Sequence, residues 1–439
     1  MSPLEAVEGA IARIEAANPR LNFLVTDCFE QAIAAARGPL PDGSFTGVPM
    51  LVKDLTETAG VRTTFSSRAF ADYVPETDAA VVRRMKEAGF VVVGKSNTPE
   101  FGITAVTESD LNGACRNPWD PERTPGGSSG GAAAAVAAGV LALAHGSDGG
   151  GSIRIPAACC GLFGLKPSRG RVSPAPFVSG SLELSQNGPL SVTVRDAAAF
   201  LDAIAGYEWG DSHILPPPER PFAEEVGRDP GRLRIAFTDT PPIPYPVEPA
   251  ASAAARAAAD ALAALGHEVV ERTPPWSDEN LLRAFAVLWQ TSPALFPVRD
   301  RSLLMPLNRA LAESAERASS VALAEATVAL QRAARRVVAF WEDVDVVLTP
   351  ALAKLPVPIG WVFEPDDPWE QFRRGGEFTP FTPLVNVTGQ PAACVPFAVV
   401  DGLPVGIQLI GPPLGEALLL RLAGQLELAH PWADRLPAS

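Results

Sequence analysis

Three short stretches hold the residues whose types and spacing could do chemistry. Gly126–Gly127–Ser128–Ser129–Gly130–Gly131 runs straight into an alanine-rich segment, so it must be a tight turn feeding a helix N-terminus. Such a turn can hold phosphate. The phosphate-loop pattern (GxxxxGK, then Ser or Thr) fails, because Ala132 and Ala133 stand where Lys and Ser or Thr belong, and GxGxxG does not fit either. A second element, Asp148–Gly149–Gly150–Gly151–Ser152–Ile153–Arg154, places Ser152 twenty-four residues beyond Ser128. Three glycines before a serine let the backbone turn its N–H groups inward toward a reacting oxygen, the arrangement an oxyanion hole needs. The third stretch is Lys53–Asp54, which closes the apolar run Gly47 to Val52. A glycine-rich turn alone is usually only a turn, and a Lys–Asp pair alone reads as a surface ion pair; the three in one chain form a specific signal.

A serine hydroxyl is a poor nucleophile until a neighbouring base takes its proton. Four histidines leave few candidates for a Ser-His-Asp triad, and His145 reads as a strand residue with no paired acid at usable spacing. Only Lys53, Lys86, Lys95, Lys166 and Lys354 could supply a lysine base. Such a base must be neutral, which for a residue of pKa near 10.4 means a bias of roughly 3 to 4 kcal/mol. Burial at the end of an apolar strand, where Lys53 stands, is the natural cause. Cys159–Cys160 lie among Ala, Gly and Leu and read as core, not as a thiol nucleophile. No HxxxH, HxH or acidic cluster appears at ligand spacing, so no metal is expected.

These residues need elements to hold them. The Gly47–Val52 run suits a buried strand that presents Lys53 at its C-terminal end. Asp78 can cap a helix through Lys86, followed by a strand from Phe90 to Val93. The glycine–serine turn leads into a helix over 132–139, a strand over 140–146 and the second glycine turn. Further on, strands are expected at 233–237, 268–271, 346–348, 393–395 and 405–409, with helices at about 248–265, 317–341 and 415–428. This alternation predicts an α/β fold, a mixed sheet sandwiched between helices, with the reactive residues around its centre. One unit spanning 1–439 is expected, with a core of about 45–175 and a variable cleft region of about 210–380.

Composition narrows the partners. A formal charge of −14 argues against nucleic acid or an anionic membrane surface. The longest apolar stretch, 132–144, is too short to cross a bilayer, and the N-terminal residues lack the basic start and apolar block of a signal peptide, so a cytoplasmic address is expected. Five cysteines without a CxxC pair read as reduced, mostly buried thiols.

On Lys53–Asp54, on GGSSGGAAAAVAAG (126–139) and on SDGGGSIRIPAACCGLFGLKPSRGRVS (147–173), the chain resembles the amidase-signature family. The likeness continues at Gly94–Lys95–Ser96–Asn97–Thr98–Pro99–Glu100–Phe101, at Arg116–Asn117–Pro118–Trp119 and in the tail from 386 to 412, with 210–380 the least informative part. The layout is similar to that of hydrolases of cyclic amide dimers, aryl acylamidases and urethanases. The resemblance implies the amidase-signature fold and an acyl-enzyme serine hydrolase. By position, its catalytic lysine falls on Lys53, its cis-peptide bridging serine on Ser128 and its acylating serine on Ser152. Backbone N–H groups of Gly149, Gly150, Gly151 and Ser152 would form the oxyanion hole, supported by Ser129, Asp148 and Arg154. Arg154, flanked by Ile153 and Ile155, reads as holding Asp148 in preference to touching substrate.

No cofactor is implied; the partner is a small amide or carbamate, and a homodimer is compatible with the sequence. The same resemblance covers the tRNA-dependent amidotransferases, in which the amidase-like chain works inside a complex. Acidity and the apolar middle section, with Trp276, Trp289, Phe296, Trp361, Phe363, Trp369 and Phe372, favour a free-standing hydrolase with a hydrophobic cleft, walled by Trp289 and Phe372.

Overall fold

A computed structural model describes residues 1–177, 181–435 and 437. Among the described residues eleven strands form two sheets. The smaller has the order β1 (Leu24–Asp27), β3 (Val91–Ser96), β2 (Pro49–Lys53), with β1–β3 antiparallel and β2–β3 parallel. The larger runs β4 (Leu143–Asp148), β6 (Gln186–Ser191), β5 (Phe163–Lys166), β10 (Ala392–Val400), β11 (Leu403–Ile410), β9 (Val346–Pro350), β7 (Arg234–Phe237), β8 (Glu268–Glu271). Its pairings are antiparallel from β4 to β9 and parallel from β9 to β8, so the sheet is mixed as expected.

The period-two alternation of each strand divides the core between the faces of the large sheet. Ile235, Phe237, Val346 and Leu348 pack with the helices Val194–Ile204, Pro249–Ala264 and Glu416–Ala429. The intervening Ala236 and Val347 pack with the helices Glu279–Trp289, Ser320–Val338 and Pro383–Thr388. Strands apolar on both sides are what a sheet covered on both faces requires.

Several expectations shift. The alanine helix spans Gly130–Ala137, and its strand begins three residues later than expected, at Leu143. The helix expected over 317–341 is found as Ser320–Val338, and a separate helix, Pro306–Arg317, precedes it. Asp78 does not cap the helix Ala80–Glu87; its carboxylate binds the Lys86 ammonium at 2.7 Å and accepts the Ala59 N–H instead. The largest correction concerns the sheet. The strand that ends in Lys53 belongs to the small sheet, and β4, which leads to the second glycine turn, is an edge strand of the large one. The reactive residues therefore lie at a seam where β2 packs against β4, not at the centre of one sheet.

Candidate active site

β2 fixes the lysine. Met50, Leu51 and Val52 are fully buried, each contributing roughly 1.5 to 3 kcal/mol relative to exposure. That stabilisation is large enough to carry Lys53 into the interior with them, at zero exposure. Its backbone N–H donates to His145 Nδ1 at 3.3 Å, and its ammonium donates to Ser128 Oγ at 2.7 Å, Ser147 Oγ at 3.1 Å and the Ser147 carbonyl at 3.2 Å. Burial pulls its pKa from 10.5 down to about 7, against the opposing attraction of Asp148. This is a bias toward the neutral form of roughly 5 kcal/mol. His145 is held down at about 3 by burial; its Nδ1 accepts the Lys53 N–H and its Nε2 meets Asn187 Oδ1, so it is a neutral structural group.

The two glycine turns bring the serines to the same place. The Gly127–Ser128 peptide bond is cis, as the family likeness implies. Ser129 donates its backbone N–H to the Ser152 carbonyl at 3.2 Å, and its hydroxyl donates to the Ser147 carbonyl at 3.2 Å, tying the first turn to β4 and to the second turn. Ser128 and Ser152 both line a cavity of about 380 Å³. Among the described residues no hydrogen bond joins their hydroxyls.

Asp148 and Arg154 organise the second turn. The guanidinium donates to both Asp148 oxygens at 2.9 Å, to Gln408 Oε1 at 2.6 Å, to Asn386 Oδ1 at 2.6 Å and to the Thr382 carbonyl at 3.0 Å, all with zero exposure of its own side chain. Arg154 thus holds the turn and faces no cavity. Burial opposes ionisation of Asp148, but Arg154 outweighs it and holds the carboxyl well below the usual range. The carboxylate in turn accepts the Gly151 N–H at 2.8 Å and the Ile153 N–H at 3.2 Å. This corrects one part of the expected oxyanion hole: the Gly151 amide is already engaged. Among the described residues no protein acceptor takes the Gly149, Gly150 or Ser152 N–H. Gly151 has φ +126°, and a Cβ there would collide with the Thr382 side chain, so glycine is required for conformation and for space.

Trp289 and Phe372 stand where a cleft wall was expected. Both line a narrow apolar pocket of about 70 Å³ that reaches Ser152, and Trp289 also lines the wide cavity. The Trp289 ring stacks on Phe285 with centroids 5.1 Å apart and its Nε1 donates to the Ile103 carbonyl at 3.3 Å. Of the other aromatic residues expected at the cleft, Phe296 lines the wide cavity. Trp276 is 2% exposed in the core, Trp361 and Phe363 pack against a separate apolar cluster, and Trp369 is 42% exposed. Sequence reasoning missed Ser147, Thr382, Asn386 and Gln408, which hold the lysine and the second turn. Of these only Ser147 carried a signal, being one residue before Asp148 at the end of a strand. Cys115, Cys159, Cys160 and Cys394 are buried, have thiol pKa values pushed up by burial and are core. No metal-ligand cluster occurs among the described residues, nor is any of their helices long and apolar enough to cross a membrane.

The Amidase family profile matches residues 5–420. The 6-aminohexanoate-cyclic-dimer hydrolase of Paenarthrobacter ureafaciens is 37% identical over 462 aligned positions, covering 100% of this chain and 93% of the relative. A solved structure of 6-aminohexanoate cyclic dimer hydrolase complexed with substrate superposes with a TM-score of 0.95 at 35% identity, covering 100% of this chain and 95% of that one. A bacterial aryl acylamidase of the amidase signature family gives 0.88 at 27% identity, over 99% and 94%. The amidase-like component of glutamyl-tRNA(Gln) amidotransferase from Thermotoga maritima gives 0.78 at 30% identity, over 98% and 92%. A match of this extent, on a mixed sheet flanked by helices, means that the chain belongs to the Amidase family, as a hydrolase with amidase activity.

Proposed function

We propose that this chain cleaves the carbon–nitrogen bond of neutral, fairly hydrophobic amides through an acyl-enzyme on Ser152, with carbamates and esters also accepted. The observation that carries the reading is the 2.7 Å hydrogen bond from the fully buried Lys53 ammonium to Ser128, beside the cavity that Ser128 shares with Ser152. In its neutral form Lys53 takes the Ser128 proton while Ser128 takes that of Ser152, whose oxygen forms a bond to the substrate carbonyl. A rotation of the Ser152 side chain toward Ser128 completes the relay. The N–H groups of Gly149, Gly150 and Ser152 receive the oxyanion, since Gly151 is committed to Asp148. The proton returns through Ser128 to the departing amine as the carbon–nitrogen bond breaks. Water, deprotonated by the same relay, then hydrolyses the ester and restores the Ser152 hydroxyl. No cofactor enters any step.

A single experiment tests the core of this reading. A fluorophosphonate should label Ser152 in the wild type, and Ser152→Ala should lose both labelling and turnover of anilides while keeping its fold. More than a few per cent of residual turnover would sink the assignment. The assay is run with no second protein present, which also separates a free-standing hydrolase from a component of an amidotransferase complex, the less supported alternative given the TM-scores of 0.95 and 0.78. Buried unpaired thiols fit a reducing, cytoplasmic setting. A homodimer is compatible with the sequence, and a solution mass measurement decides it.

A further inference from the structure

We propose that Glu57 gives the wide cavity a cation-recognising end, which narrows the substrate class above: the part of the substrate at the scissile bond is neutral and hydrophobic, while an ammonium group at a distance from it improves the substrate and a carboxylate there worsens it. The inference rests on the reading above, in which the cavity at Ser152 receives the substrate. Of all the described side chains lining the two cavities, Glu57 is the one that carries a formal charge. Among the described residues no side-chain hydrogen bond or ion pair from another residue engages its carboxylate. A half-buried carboxylate without a partner is costly, and the cost falls when a ligand cation arrives.

Its surroundings suit a cation. Phe65, Phe101 and Phe296 line the same cavity and pack on one another, with centroids 5.2 Å apart for Phe65–Phe296 and 4.1 Å for Phe101–Phe296. Aromatic rings and a carboxylate lining one cavity both attract an ammonium, by quadrupole and by charge. The charged groups behind Glu57 do not cancel it. Lys95 is fully buried and spends its ammonium on the Thr56 carbonyl and on Thr58 and Thr63, while two carboxylates, Asp54 and Glu57, are the anions that act on it most. Arg62 acts on Asp54, and Lys95, the cation that acts on Glu57, already spends its ammonium on those three partners. Burial raises the Glu57 pKa from its ordinary value, and a bound cation would draw it back. Among the described residues no arginine, lysine or histidine lines either cavity, so a substrate carboxylate would find no partner.

The test uses three sets of anilides of varied acyl length, ending in an ammonium, a methyl or a carboxylate, together with a matching series carrying the same groups on the amine side. In at least one series and length, the wild-type kcat/KM for the ammonium compound should exceed that of the methyl compound by about tenfold, and the carboxylate should be worst. Glu57→Gln should bring the ammonium-to-methyl ratio close to one. Because a ratio is read, a general fall in rate does not obscure the result. If Glu57→Gln does not fold, the wild-type ratio and its narrowing at high salt decide. Absence of an ammonium preference at every length, or a preference unchanged in Glu57→Gln, would overturn the proposal. Failure of the fluorophosphonate to label Ser152 in the wild type would instead bring down the reading of the cleft itself, and this inference with it.

Discussion

Lys53 titrates in the buried interior, and that ties stability to pH and, in the mechanism proposed above, the rate as well. With the base neutral only above its pKa of about 7, kcat/KM should rise through that pH and level off on the alkaline side. Lys53→Ala should remove the limb along with several orders of magnitude of rate, and should be non-additive with Ser128→Ala, because both residues belong to one relay. Stability has its own sign. The folded lysine binds its proton less tightly than the unfolded one, so the penalty of burying it is fully present below pH 7 and fades as pH rises from about 7 to 10.5. Lys53→Met should therefore gain stability over wild type by a few kcal/mol at pH 6 and by much less at pH 10, a difference that denaturant titrations at the two pH values would reveal. At this scale the sequence was informative, since lysine, serine and glycine at fixed spacing pointed to the groups that meet. It was silent on Thr382 and Asn386, which act through hydrogen bonds that only the folded chain creates.

The helix Glu279–Trp289 and the second glycine turn form the next level of organisation. A Cβ on Gly149 or Gly150 would come within 3.5 Å or 3.4 Å of the Trp289 ring, so the ring lies against the backbone whose N–H groups are proposed to hold the oxyanion. Trp289→Ala should for that reason do more than change substrate preference. It should lower kcat for a small anilide that does not fill the pocket, by about tenfold, whereas Phe372→Ala should act mainly on KM for bulky substrates. Equal kcat values for wild type and Trp289→Ala on the small anilide would rule out that positioning role. Strand β8 was legible to the residue because its Glu268–Glu271 run is bounded by a clear turn. The helix Ser320–Val338 was legible within the expected 317–341, its start set by Ser319, which caps it after Ala318 leaves helical geometry; the preceding helix Pro306–Arg317 was not.

At the scale of the molecule, the alternation of helices and strands was enough to predict a mixed sheet covered on both faces. It could not reveal that the strand bearing Lys53 joins a different sheet from the strand preceding Ser152, because pairing between distant strands leaves no local trace. The seam between the two sheets has a consequence for how the enzyme fails. In the mechanism proposed above, Lys53 is a usable base only while both sheets keep water from it; a slight parting would hydrate its ammonium, return its pKa toward 10.5 and silence the relay with every strand still intact. The catalytic rate is thus a moisture gauge for the join. In a urea series at pH 8, activity should be lost before the main change in far-ultraviolet circular dichroism, and raising the pH to 10 should restore part of it by removing the proton chemically instead of by desolvation.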